Sequence, residues 1–568
     1  MQSRPSGASA ADEPDPTSVP VNAVPGEDGA PPVERKAALR RFVGTVLRGD
    51  AGAAQELRED EITPMPPVPP GEEVVEVREI APPYARVRIL FDPKRNTHRY
   101  EVIEPPLTQA EVDHYAFIKE AFLRTLDVDL DALDRVGARA YMSERFQRLA
   151  RRHHIELTPL SRARLSYYLE RDFLGFGLID VVMQDPSIED ISCDGPALPI
   201  FIYHRKYESV KTNLSFPSDE TLDGYVMQIV QRSGKHISVA EPLVDATLPE
   251  GSRLQATLSR EVTTRGSTFT IRKFRRDPFT PTDLLIFETL SPEMGAYLWL
   301  AVEHGASALI CGGTASGKTT TLNALSTFIP PQKKIVSIED TRELNLLHEN
   351  WIPGVTRAGG QSEDRSDGRR VGEVDMFDLL RAALRQRPEY LLLGEVRGKE
   401  AYVLFQAMAT GHTVYSTMHA DGVASAVHRL ESRPIEIPRT MLSSLDVVAI
   451  QGEVRVGTRR VRKVREIVEL TGIDPRTGEL LTNRVFHWDG AEGRFRYSGA
   501  SFVLGRIAEE AHWTDAQLRQ EVDRRVRVLV AMQKRSIRDI QHVTSIVNGY
   551  AIDPERTVAD LEAGRIGA

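Results

Sequence analysis

Gly312-Gly313-Thr314-Ala315-Ser316-Gly317-Lys318-Thr319 satisfies the pattern G-x-x-x-x-G-K-[ST], and it stands between the apolar run Ala308–Cys311 and a helical pattern expected to begin at Thr320. Strand, glycine loop and helix are the context in which this pattern binds phosphate. Glycines let the backbone wrap an anion, so that successive N–H groups and the helix N-terminus face its charge. Gly312 to Thr320 form the expected nucleotide-contacting set, with the Lys318 ammonium on the β- and γ-phosphates and the Thr319 hydroxyl on Mg²⁺. ATP and Mg²⁺ are the cofactors this loop implies.

Outward from the loop, apolar strands are expected at Ile335–Glu339, Tyr390–Gly394 and Thr413–Thr417, alternating with helices. Continuous apolar runs suit strands buried on both faces, so this region reads as an α/β parallel sheet. One strand ends in Leu393-Gly394-Glu395, which makes Glu395 the metal-side carboxylate, acting through water because glutamate is longer than aspartate. Another ends in Glu339-Asp340-Thr341-Arg342-Glu343, three carboxylates from which a base or water-positioning group can come. Spacing alone does not choose among them. His412 enters the Thr413–Thr417 strand and His419 leaves it. A seven-residue strand spans ~20–23 Å, so at least one of the two faces a different surface. Zinc is disfavoured because no local cysteine or acidic cluster completes a site.

The whole chain has 568 residues and a formal charge of 72 − 81 = −9, which gives no support to a polyanion-binding surface. Two cysteines exclude a disulfide scaffold and any four-cysteine zinc module and fit a reducing, cytoplasmic setting. No apolar run reaches the ~18–20 residues of a membrane span, so membrane association is expected only at the periphery, through a partner. Residues 1–70 hold 12 of the 35 prolines, and 1–71 is read as a disordered tail with one short helical stretch, Lys36 to Leu57. Strand patterns at Val74–Ile80, Ala85–Phe91 and His98–Ile103, followed by helical periods, make 72–165 a small α+β module. A second α+β domain is expected over 166–282 and the P-loop domain over 283–470. The remainder, 471–568, reads as a mixed, mainly helical extension: polar to Thr514, then a helix opened by a Thr514/Gln517 capping box and another over Ser536–Asn548 stopped by Gly549. The basic strand Arg459–Arg465 reads as a solvated sheet face.

The P-loop, Glu-Asp-x-x-Glu at 339–343, Leu-Gly-Glu-x-Arg at 393–397 and Thr-Gly-His-x-x-x-x-Thr-x-His at 410–419 occur in the order of the Walker A, Asp-box, Walker B and His-box elements of the type II/IV secretion ATPase superfamily, which the chain resembles over 166–470. Tyr84-Ala85-Arg86-Val87 through Glu101-Val102-Ile103-Glu104-Pro105-Pro106 resembles the leader domain of archaeal members, archaellum motors included. The resemblance implies a RecA-like P-loop domain behind a PAS-like domain, with Glu343 the catalytic glutamate, Glu395 the Walker B glutamate, His412 and His419 the His-box pair, and Arg253 and Arg272 reaching the phosphates. It further implies a homohexameric ring powering a pilus, archaellum or secretion machine through a polytopic membrane platform protein, with no nucleic acid as partner. Two departures stand out: there is no four-cysteine insertion, and Thr341 stands where pilus motors often carry proline. The rival expectations are a RecA-like nucleic-acid motor and a nucleotide-binding scaffold without turnover.

Overall fold

The computed structural model describes residues 58–125, 135–275, 277–357, 372–457 and 459–566. The proline-rich tail, with its helical stretch, lies outside them up to residue 57. The chain forms two compact units, Met1–Gln184 and Asp185–Ala568. No helix among the described residues is long and apolar enough to cross a membrane.

In the first unit β1 (Glu73–Ala81), β2 (Ala85–Asp92) and β3 (Thr97–Ile103) pair as an antiparallel meander. Asp92 closes the β2–β3 turn by accepting the N–H groups of Lys94 and Arg95, as expected of an aspartate at a turn start. Helices Gln109–Thr125, Arg135–Arg152 and Pro159–Phe173 bury Ile118, Phe122, Met142, Phe146, Leu165 and Leu169 against one another. The elements fall within a few residues of the expected ones.

The second unit begins with a six-stranded antiparallel arrangement, β6-β5-β4-β9-β8-β7, built from β4 (Ile188–Cys193), β5 (Phe201–His204), β6 (Glu208–Thr212), β7 (Leu243–Thr247), β8 (Arg253–Thr257) and β9 (Thr268–Arg272). In its register Arg253 lies directly opposite Arg272, and Arg272 opposite Asp190. Residues opposed across antiparallel strands share a face, so the two arginines emerge side by side.

Its second half is a nine-stranded sheet in the order β12-β11-β13-β14-β10-β15-β16-β17-β18. β10 (Ala308–Gly312), β11 (Ile335–Glu339), β12 (Trp351–Val355), β13 (Tyr390–Leu393) and β14 (Thr413–Met418) run parallel, and β15 (Val447–Val456) pairs parallel with β10. Alternate residues of β10 enter different cores. Ala308 and Ile310 join Trp299 and Phe328, whereas Leu309 and Cys311 join Leu404 and Phe405. This is the doubly covered sheet that unbroken apolar strands require.

The C-terminal stretch departs from the sequence reading. β16 (Arg459–Ile473), β17 (Leu480–Asp489) and β18 (Arg494–Tyr497) continue the sheet antiparallel from β15. Their polar residues obscure the two-residue alternation, which is why the sequence shows only a polar stretch where β17 and β18 lie. Helix Phe502–Glu510 also escaped notice. Its N-terminus docks on the fully buried Glu469, which accepts the N–H groups of Phe502 and Val503 and the Ser501 hydroxyl. Helix Asp515–Lys534 opens on the expected capping box, but helix Ile540–Ile552 runs through Gly549 and ends at Asp553. Gly549 serves as a helical residue there, and the stop comes from Pro554. On the basic strand Arg460, Arg462 and Arg465 are exposed, as a solvated face requires, and Lys463 departs from it: it is 1% exposed, lies 4.2 Å from the Trp488 ring centroid, and donates to the Glu288 carbonyl at 2.9 Å.

Candidate functional site

The loop after β10 adopts the geometry its glycines permit. Gly317 has φ +94° at the N-cap of helix Lys318–Ser326, which starts two residues earlier than expected. Gly312 pairs with Gln451 of β15, and a Cβ there would overlap the Gln451 carbonyl oxygen and stand 2.6 Å from Ser316 Oγ. Gly313 has nothing within 4 Å of such a position. The Ser316 hydroxyl and the Lys318 ammonium both donate to the Gly313 carbonyl, at 2.9 and 2.8 Å. Lys318 is 8% exposed. Burial pulls its pKa below the usual lysine range, against the attraction of Glu395. An ammonium held by a single loop carbonyl in this setting is poised for an anion.

Thr314 to Thr320 line a cleft of about 600 Å³, inside the range of ligand pockets. Its opposite wall comes from the six-stranded half of the same unit and includes Arg253, Arg272, Lys273 and Arg275. Burial pushes Lys273 down to about 8 and Arg275 to about 10. Arg253 Nη2 reaches Glu343 Oε1 at 3.7 Å, while its buried Nε has no hydrogen-bond partner. Arg272 makes no ion pair among the described residues, and its charge opposes the rise that burial causes in the Asp190 carboxyl.

The three carboxylates that spacing left open have separate roles in the structure. Glu339, 2% exposed, accepts the backbone N–H groups of Glu343 and Leu344 at 3.0 and 3.1 Å, pinning the loop that carries Glu343. Burial raises it to about 7. Asp340 sits 3.4 Å from Arg397. Glu343 faces the cleft and the arginine wall. Glu395 is bracketed by Arg397 Nη2 at 2.6 Å and His419 Nε2 at 3.2 Å. Burial would raise the Glu395 carboxyl, but the Arg397 hydrogen bond and charge, with His419 and Lys318, outweigh it and hold it low. Burial, together with the Lys318 charge, lowers His419, which favours its neutral imidazole beside the Glu395 carboxylate.

His412 does not join them. It precedes β14, at the end remote from the loop, where its Nδ1 lies 3.3 Å from both the Thr410 hydroxyl and the Ala407 carbonyl. Gly312 and Gly313 shape the loop without lining the cleft, whereas Thr319 and Thr320 line it. Among the described residues no group of three His, Cys, Asp or Glu could hold a metal ion by itself. That donor set fits Mg²⁺ only as a phosphate-borne cation, which keeps most of its ligands from water and nucleotide and takes one hydroxyl from Thr319 and an outer carboxylate from Glu395. Sequence reasoning missed Arg397, although it lies inside the quoted Leu-Gly-Glu-x-Arg motif, and Arg462, which was assigned to a solvated strand.

The profile described as "Type II/IV secretion system protein" matches residues 177–524, the span holding every residue just placed in the cleft. The chain belongs to the type II/IV secretion system protein family. Its relatives include the uncharacterized protein MJ0900 of Methanocaldococcus jannaschii, 37% identical over 488 residues that cover 81% of this chain and 86% of that one. The type IV secretion system protein PtlH of Bordetella pertussis is 34% identical over 269 residues, covering 41% and 76%. Among solved structures the chain is similar to the VirB11 ATPase of the Brucella suis type IV secretion system in complex with sulphate, at 26% identity, with 50% of this chain and 92% of that chain covered and a TM-score of 0.25. It is also similar to the pilus retraction motor PilT with bound ADP, at 19% identity, 66% and 93% coverage and a TM-score of 0.35.

Proposed function

We propose that this family member is a Mg²⁺-dependent ATPase of ring-forming, hexameric type that drives a pilus-like filament, an archaellum or a secretion machine. The observation that carries the reading is the convergence, in one cleft, of the P-loop, Glu343, Glu395 and the paired arginines Arg253 and Arg272 from the opposite wall. We read 283–470 as a RecA-like domain, 166–282 as a PAS-like domain and 72–165 as the leader module.

Bound Mg·ATP supplies the reactive phosphoryl group and the metal's charge neutralisation. Within the chain, Lys318 exchanges its bond to the Gly313 carbonyl for phosphate oxygens. Glu343, presented by Glu339, takes the proton of the attacking water. Glu395 acts on the metal side and is kept ionised by Arg397. Arg253 and Arg272 neutralise charge on the phosphates from the far wall, so the two halves close on nucleotide and reopen after hydrolysis. His412 takes no part in this cleft. By the same reading the chain is cytoplasmic, and its force passes to a polytopic membrane protein that holds it at the membrane.

The test is Mg²⁺-dependent phosphate release by the full-length protein beside its Lys318→Ala variant, with mass measured by light scattering. Turnover lost in the variant and a hexameric mass support the reading; equal turnover in both proteins refutes the P-loop assignment.

A further inference from the structure

β16 runs antiparallel to β15 and returns the chain across the P-loop. The Arg462 side chain passes over the end of the loop, with its Cδ 3.8 Å from where a Cβ on Gly317 would stand, and it lines the cleft with Lys318, Arg253 and Arg272. Its strand neighbours are matched with carboxylates: Arg460 lies 3.7 Å from Glu453, and Lys463 3.4 Å from Glu288. Arg462 has none within ion-pair distance among the described residues. Across the cleft stands Arg205, held by Glu189 at 3.5 Å, and the charge of Arg462 is felt there as a repulsion. A guanidinium left without a counter-charge, in a cleft already crowded with cations, raises the positive potential that an anionic ligand relieves.

A second observation lies beneath it. Gln451 of β15 is 3% exposed, and its Nε2 stands 2.9 Å from the same Gly317 Cβ position. Its buried Oε1 has no hydrogen-bond partner. A buried amide oxygen without a donor is costly, and it belongs to the side chain whose Nε2 lies against the last glycine of the P-loop.

We infer that Arg462 is a further nucleotide-binding residue that contacts the phosphate chain from the β15–β16 hairpin, with Gln451 setting the position of the P-loop below it. This rests on the ATPase reading. It makes the hairpin a third wall of the site, beside the P-loop and the arginine wall. It also ties nucleotide occupancy to the strands that extend the sheet toward the C-terminal helices.

The experiment uses the full-length protein as wild type, Arg462→Gln, Arg462→Lys and Arg460→Ala. Calorimetric binding of ATP, ADP and adenosine is measured in Mg²⁺, beside ATP turnover and thermal unfolding. Arg462→Gln keeps the side-chain stem over Gly317 and removes only the charge, so its unfolding matches wild type. We expect it to lose roughly 10- to 150-fold in ATP and ADP affinity, the range of a hydrogen bond to a charged group. Adenosine binding stays unchanged, Arg462→Lys recovers part of the loss, and Arg460→Ala stays within twofold of wild type. ATP affinity of Arg462→Gln within twofold of an active wild type overturns the assignment of Arg462 alone. An equal loss for adenosine overturns the phosphate contact. A wild-type protein that neither binds nor hydrolyses ATP removes the underlying ATPase reading, and this inference with it.

Discussion

Of the two adjacent glycines that open the P-loop, the motif fixes Gly312 and leaves Gly313 open to any residue, and Gly312→Ala against Gly313→Ala tests whether the fold explains the difference. Gly312 is the last residue of β10 and is registered against Gln451 of β15. A methyl group there overlaps a backbone carbonyl oxygen of the paired strand and comes within 2.6 Å of Ser316 Oγ. Ser316 can rotate away, whereas the carbonyl belongs to a parallel ladder and yields only if β10 and β15 separate by roughly an ångström. Overpacking of this kind costs about 3 kcal/mol, the upper part of its usual range. If the strain is relieved by displacing the loop, the nucleotide-competent geometry falls about 100-fold in population, and so does affinity. Gly313 has open space around it and a φ outside the left-handed region, so its alanine variant keeps wild-type unfolding and binding. Differential scanning fluorimetry and titration with a fluorescent ATP analogue measure both. Gly312→Ala behaving like Gly313→Ala in both assays would refute the registration of the P-loop on β15.

Glu343→Gln and Glu395→Gln should each retain ATP binding and lose hydrolysis in a phosphate-release assay; normal turnover in Glu343→Gln moves the base to another carboxylate. Arg253→Ala and Arg272→Ala should each lower kcat at saturating Mg·ATP by about 10³-fold or more with the oligomer intact, and rates within twofold of wild type for both would leave the far wall without a catalytic role. Glu339 carries a pH signature. Its carboxyl sits at about 7 in the fold against 4.5 for the free side chain, so the folded state binds the extra proton between those values. Stability therefore falls as pH rises from about 4.5 through 7, by up to ~3 kcal/mol. Melting curves from pH 5 to 8 should show a shallower decline in Glu339→Gln, and parallel curves for the two proteins would sink the assignment.

What the sequence disclosed follows the strength of its periodic signals. β10, β11, β13 and β14 are short apolar runs bounded by glycine or acid, and they were located to within a residue because burial on both faces leaves little other use for such runs. β17 and β18 were invisible because their arginines and threonine face solvent from an extension that a single buried carboxylate, Glu469, clamps to helix Phe502–Glu510. No local pattern announces a clamp whose partners lie more than thirty residues apart. The site divides along the same line. Loop residues were legible because their chemistry is contiguous in the chain, and so was the separation of His412 from His419, because strand length forbids their meeting. The distinct tasks of Glu339 and Glu343 were not, since hydrogen bonding decides them: one carboxylate accepts two backbone N–H groups and the other is left facing Arg253. Arg462 is exposed, as the sequence reading had it, but its place beside the P-loop was hidden for a related reason. Charge alternating with valine describes a solvated strand equally well whether the strand's next neighbour is water or the last glycine of a P-loop, and only the β15–β16 register tells the two apart. Functional side chains supplied by strands far along the chain are therefore the ones to look for wherever a sheet extends past its nucleotide loop, because registration, not local composition, brings them there.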